Sequence, residues 1–331
     1  MNTSSKLAIG FGVSCGVLII ILITVLVLIT EKVNGGEMLK TAIAGAFNNK
    51  NKCNTPGVDC RFIQDTTVSV PTILTTSTAF SVPIASFGAQ LTATLEAATM
   101  SGVDPKPLPN TQTLALISTA ESKNICWIVQ TAAADQIWIV FRGTETDQEW
   151  KSDFDTEQVT FFGTDDLVHR GFNTIYDMAK GPIRNVLASH TFSTLLICGH
   201  SLGAALSILC AADFIRTPFT GASDSNSNNL DIRTYVFAPP KVGNQSFVNT
   251  VSNSVGTVLK ELNCVANQED VVPTLPLSVE PNFSDPGNPS LYAQFPLHVF
   301  TENWGSLSLN HMLPVYIKNL SNLTQCSASH A

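Results

Sequence analysis

The pentapeptide Gly199-His200-Ser201-Leu202-Gly203 gathers at one bend the residue types that nucleophilic acyl chemistry needs. An apolar run over 194–198 leads into it and an Ala/Leu-rich helical pattern follows, the strand-turn-helix setting of a nucleophile elbow. A serine held there in strained dihedrals needs side-chain-free neighbours, so Gly199 and Gly203 let strand and helix approach. Ser201 would then present its hydroxyl at a helix N-terminus, where orphan N–H groups and the macrodipole favour a developing negative charge. Because a bare G-x-S-x-G also arises by chance, its partners have to be identified.

A hydroxyl is a weak nucleophile at neutral pH, so Ser201 requires an imidazole to take its proton and a carboxylate to orient that imidazole. With this elbow the chain order is serine, then acid, then histidine. His169 and His190 precede Ser201, His330 is penultimate, and His200 is read as pointing elsewhere, which leaves His298 and His311. Among later acids, Asp224 and Asp231 lie in or beside a polar loop and Asp285 in a Pro/Gly-rich one. Asp213 reads as an exposed residue of the helix after the elbow. Asp270 follows a strand that ends near Val265, a position suited to a fixed acid, with Glu269 as the neighbour most easily confused with it.

The elements that must hold these groups can be read around them. Two β-rich runs at 125–130 and 136–141 suggest an antiparallel hairpin feeding a central sheet. A helix opens at 168–172 and runs to about 188, and buried strands are read at 234–237 and 258–265. A helix at 37–47 and a second around 88–100 flank a Thr/Ser/Pro-rich stretch of weak periodicity. Strands alternating with helices argue for one α/β domain with a mostly parallel sheet over 31–331.

Hydrophobic residues make up 44% of the 331, ample for a core. Charged residues are only 13% and the formal net charge is -8, so a phosphate backbone would be repelled and nucleic acid is excluded as a partner. The eight cysteines show no C-x-x-C spacing, which argues against a metal centre. Cys126, Cys198, Cys210 and Cys264 sit in apolar patterns and read as buried thiols, whereas Cys53, Cys60 and Cys326 lie in polar surroundings where at least one disulfide is expected. Beyond a short tail, 1–6, no charge occurs over 7–30. At roughly 1.5 Å per residue this run spans a bilayer, and it exceeds the apolar region of a signal peptide, so a single-pass anchor is expected. Lys6, Lys32 and Lys40 give orientation little asymmetry. Sequons at Asn2, Asn244, Asn282, Asn319 and Asn322 lean toward a lumenal or extracellular domain.

Five ordered segments between about 137 and 316 carry a resemblance: I-V-F-R-G-T ending at Thr144, V-H-R-G-F at 168–172, G-H-S-L-G-A-A, Y-V-F-A-P-P-K-V-G-N at 235–244, and N-Q-E-D-V-V-P at 267–273. Together they resemble the class 3 lipases, the fungal-type triacylglycerol lipases with their plant phospholipase and diacylglycerol lipase relatives. The resemblance implies an α/β-hydrolase fold, with Ser201 as nucleophile, Asp270 as triad acid and His311 as base. It implies Thr144 as an oxyanion residue, with the Leu202 N–H as second donor. It also implies a lid at about 145–161, where Trp150 and Phe154 stand among six acids, Glu145, Asp147, Glu149, Asp153, Asp155 and Glu157. Where the family often has G-A-P-R, this chain has Ala238-Pro239-Pro240-Lys241. The activity implied is hydrolysis of glycerolipid acyl esters through an acyl-enzyme, with no cofactor and no obligate protein partner. A carboxylesterase for soluble or aromatic esters and a catalytically silent membrane-tethered binding protein are the alternatives.

Overall fold

Strands covered on both faces are written as continuous apolar runs, and β2 (Cys126–Thr131) and β3 (Gln136–Phe141) are buried at every position. In the computed structural model, which describes residues 69–73, 79–120, 122–144, 157–163, 165–219, 230–276, 292–320 and 323, they join a seven-stranded sheet. Its other members are β1 (Thr111–Ile117), β6 (Thr194–His200), β7 (Asp231–Phe237), β8 (Glu261–Asn267) and β9 (Leu297–Phe300), in the order β1-β2-β3-β6-β7-β8-β9. The first three are antiparallel, and from β3 to β9 every pairing is parallel. The expected hairpin is therefore present, and it feeds a mostly parallel sheet. A separate ribbon pairs β4 (Gln158–Thr160) with β5 (Leu167–His169).

Helices cover both faces. Ile137, Ile139, Leu195 and Ile197 point into a core shared with α2 (Arg170–Ala188) and α3 (Leu202–Arg216), while Trp138, Val140, Leu196 and Cys198 point into a second core. The second core is closed by α1 (Val82–Met100) and α6 (Leu313–Asn319), and α4 (Gln245–Asn253) and α5 (Leu307–Asn310) complete the described helices. Helix α1 starts six residues before the expected 88, with Pro83 in its first turn, where a missing N–H costs nothing. Strand β8 starts later than expected because Gly256 (φ +85) turns the chain ahead of it.

Asp213 is the clearest correction. It is buried, not exposed, because α3 is packed between the sheet and α2 and has no solvent-facing stripe at that point. Arg184 of α2 reaches it with Nη2 at 2.7 Å, and the Tyr176 hydroxyl donates to the same oxygen at 3.2 Å. The thiols of Cys126, Cys198, Cys210 and Cys264 are buried and free of disulfides, as expected. Burial pushes Cys198 and Cys264 each up to about 12. The anchor at 7–30, the helix at 37–47, Cys53, Cys60, Cys326, Trp150, Phe154, Asp224 and Asp285 all lie outside the described residues. Among the described residues no helix is long and apolar enough to cross a membrane.

Candidate active site

Strand β6 delivers the chain to Ser201 at the carboxyl edge of the parallel strands, where ligand sites of open α/β sheets form. Ser201 has φ 58 and ψ −124, a strained geometry for a residue with a Cβ. The surroundings enforce it. Ser201 N–H donates to the Phe237 carbonyl at the end of β7 (3.0 Å), and the Ser201 carbonyl accepts from Ala204 N–H at 2.9 Å as α3 begins. A Cβ at Gly199 would collide with the Gly203 carbonyl, and one at Gly203 with the carbonyls of Phe141 and Arg142. The two glycines are thus fixed by close approach of β6, α3 and β3.

His311 lies between α5 and α6, and its ring bridges the other two groups. Nε2 is 2.8 Å from Ser201 Oγ and Nδ1 is 2.7 Å from Asp270 Oδ2. A carboxylate only accepts, so Nδ1 carries the hydrogen and Nε2 offers its lone pair to the serine hydroxyl. All three residues are buried. Asp270 sits just past β8, where Val272 N–H donates to its Oδ1 at 2.9 Å and the Tyr316 hydroxyl to its Oδ2 at 2.6 Å. Burial above all, then the Asp270 charge, pushes the Tyr316 phenol well above its usual range, so it remains a neutral donor.

Asn267, which opens the N-Q-E-D-V-V-P motif, and Asn310, beside His311, hold these loops together, a role the sequence did not reveal. Asn267 Nδ2 donates to the Asn310 carbonyl (3.2 Å) and to the Glu302 carbonyl (2.8 Å). Asn310 Nδ2 donates to the Glu269 carbonyl (3.2 Å), and its Oδ1 accepts from Trp304 N–H at 2.6 Å. The acid loop and the histidine loop are therefore cross-tied on both sides. His298, the other candidate base, lies on β9 with Nε2 3.1 Å from Asn263 Oδ1 and its ring against Phe80, away from Ser201.

Thr144 is buried just past β3, whose last residue, Phe141, pairs with Gly199. Leu202 opens α3, so its N–H belongs to the first turn, which has no intrahelical acceptor. Of the expected lid only 157–161 is described. Glu157 pairs with Arg170 at the start of α2, and β4 continues from it. His200 departs from expectation: it does not point away but packs its ring on that of His311, centroids 4.7 Å apart.

Residues 138–280 match the family described as Lipase (class 3). Among curated proteins, phospholipase A1-II 6 of Oryza sativa subsp. japonica is 29% identical over 165 residues, covering 42% of this chain and 40% of its own length. The lipase of Rhizomucor miehei is 32% identical over 151 residues, covering 42% of this chain and 37% of its own. This chain thus spans about two-fifths of the length of these relatives. A solved structure of the Rhizomucor miehei triacylglyceride lipase aligns with a TM-score of 0.46 at 23% identity, over 59% of this chain and 73% of that one.

Proposed function

We propose, from the match of residues 138–280 to the class 3 lipase family, that this chain is a serine hydrolase cleaving acyl esters of glycerolipids. The observation that carries the reading is the unbroken line of hydrogen bonds from Ser201 through His311 to Asp270 on a strained elbow. In the proposed reaction Ser201 Oγ bonds to the ester carbonyl carbon as its proton passes to His311 Nε2. Asp270 stabilises the imidazolium, and Thr144 with the Leu202 N–H receives the negative oxygen. Collapse breaks the bond to the alcohol, which leaves with the His311 proton. Water then repeats the sequence on the acyl-enzyme and releases the fatty acid.

The name phospholipase A1 attached to one relative and lipase to another supports a glycerolipid substrate class without choosing a head group. We further propose that 7–30 anchors the chain in the membrane with the hydrolase domain on the lumenal or extracellular side. The tether would hold the domain at high local lipid concentration, with the acidic segment 145–161 acting as lid. Sequon use on that side falls to Asn282 and Asn322, since Asn244 caps α4 and Asn319 is buried.

The test is hydrolysis by the full chain, in detergent micelles, of tri- and diacylglycerol, phosphatidylcholine and a short soluble ester, with Ser201→Ala as control. The proposal expects long-chain glycerolipids to be hydrolysed and the variant to be inactive. Turnover of the short ester alone would replace the reading with a carboxylesterase. No turnover of any ester would replace it with a silent binding protein.

A further inference from the structure

Helix α1 lies outside 138–280, the segment that matches the lipase family, yet it sends one carboxylate into the reaction centre. Glu96 Oε1 accepts from Gly143 N–H at 2.9 Å and lies 3.0 Å from His200 Nδ1. His200 is buried, and its Nε2 is 2.8 Å from the carbonyl oxygen of His311. A carbonyl only accepts, so Nε2 carries a hydrogen. Nδ1 therefore faces a carboxylate oxygen, and that contact is attractive only with a proton between the two atoms. Glu96 and His200 together thus hold two protons, one on Nε2 and one shared.

We propose that Glu96 and His200 form a proton-sharing couple that positions both halves of the reaction centre, the strand end carrying Thr144 and the backbone carrying the His311 ring. The inference rests on the reading of Ser201 as nucleophile. At one end the couple occupies the Gly143 amide, which removes that N–H as an oxyanion donor and orients the next peptide, that of Thr144. Space there is tight: a Cβ on residue 143 would come within 2.8 Å of Glu96 Oε1. At the other end His200 fixes the His311 carbonyl while the His311 side chain turns to Ser201. The couple touches no reacting atom, so Glu96 and His200 are positioning residues. Slack of about 1 Å in either half would cost about 10²-fold in rate.

The test compares Glu96→Ala and Glu96→Gln with the full chain in detergent micelles on a short soluble ester, with rates expressed per fluorophosphonate-titrated site. kcat should fall about 10²-fold in Glu96→Ala with KM unchanged. Glu96→Gln keeps one of the two contacts and should recover part of the loss. In histidine-labelled protein, a downfield Nδ1–H proton resonance that persists in His311→Ala should vanish in Glu96→Ala. Values of kcat within twofold of the parent in both variants would overturn the proposal. So would a loss seen only in the titratable fraction, a rise in KM that accounts for the whole effect, or an unchanged resonance. Ser201→Ala separates the two levels: if it is inactive while the Glu96 variants are normal, the couple alone fails, and if it is active, the nucleophile reading itself fails.

Discussion

Two clusters of buried carboxylates stand at opposite edges of the parallel sheet. At the carboxyl edge, Asp270 is met by the His311 imidazole, the Tyr316 phenol and a backbone N–H. At the amino edge, Asp231 and Glu261 are met by Arg233, whose Nε and Nη2 each reach Asp231 at 2.8 Å and whose Nη1 pairs with Glu261. The Tyr235 hydroxyl and Asn263 Nδ2 also donate to Glu261. Arg233 is charged at any ordinary pH, so the second cluster is closed in the sense that its pairing never switches, one guanidinium serving two carboxylates. Asp270 is paired with a ring that can gain and lose a proton, so its cluster is balanced only when His311 is charged, the state that a proton from Ser201 would create. The contrast separates a carboxylate held by a permanent cation from one that, on the proposed reaction, would steady a transient imidazolium.

The largest effect should come from breaking the switchable cluster. On the proposed reaction Ser201, His311 and Asp270 act as a unit, so Ser201→Ala and His311→Ala should each lower kcat by roughly 10⁶-fold, and Asp270→Asn by roughly 10⁴-fold. Urea midpoints should remain near that of the parent chain. Single-turnover ester hydrolysis and fluorophosphonate labelling measure the loss, and substantial activity in Ser201→Ala would remove the distinction between the clusters.

Breaking the closed cluster should do the reverse. Arg233→Met leaves two buried carboxylates without their cation, which costs about 3–5 kcal/mol. The urea midpoint should fall accordingly, while kcat per titrated site stays within about twofold of the parent, since Arg233 touches no triad member. A large fall in kcat without loss of stability would show that the amino edge is coupled to the reaction.

The elbow and the parallel sheet were legible because each depends on short-range constraints written side by side: two glycines around a serine, and apolar runs of strand length. The choice of Asp270 and His311, 41 and 110 residues from their partners, came from the resemblance and not from local pattern. The closed cluster was not legible. Asp231 read only as part of a loop, and nothing local announces that Arg233 and Glu261 share an interior. Asp213 failed for the same reason, its partner Arg184 lying on the preceding helix. Helix α1 was read from 88 on, but its burial was not. It is buried nearly all round, so it lacks an amphipathic stripe. Its threonines conceal their hydroxyls by bonding back four residues, Thr92 to Gly88, Thr94 to Gln90 and Thr99 to Leu95. The segment read as a helix from 88 on is therefore core on nearly every side, and Glu96 went unnoticed within it.

A smaller effect belongs to the buried thiols between the clusters. Cys198 and Cys264, each held near 12 by burial against an ordinary 9.0, keep their protons in the fold while the unfolded chain releases them. The folded value is the higher one, so the stability is complete below about pH 9 and is lost as pH rises toward 12. Each thiol steepens the decline by about 1.4 kcal/mol per pH unit in that window. The buried tyrosines Tyr176, Tyr235 and Tyr316, all raised, add in the same direction at higher pH. Cys198→Ala with Cys264→Ala should therefore flatten the alkaline limb of stability against pH even though the cavities lower its plateau, and an unchanged slope would mean that these thiols do not carry it.

The smallest effect compares two histidines that the chain order left equal. His311 is fixed between a carboxylate and a hydroxyl, whereas among the described residues His298 meets the Asn263 carbonyl oxygen and the Phe80 ring, and burial lowers its pKa. His298 is therefore neutral in the fold and easier to protonate once unfolded. Because its folded value is the lower one, its contribution is intact above the ordinary 6.5 and is lost as pH falls from there toward the folded value. His298→Gln preserves a donor for Asn263 and cannot titrate. The variant should hydrolyse esters within about twofold of the parent chain at every pH, as expected of a group outside the reaction centre. Its urea midpoint should match the parent's above pH 6.5 and fall less steeply below it. Parallel curves below 6.5 would show that His298 does not titrate with unfolding, and loss of hydrolysis would move the general base from His311 to His298.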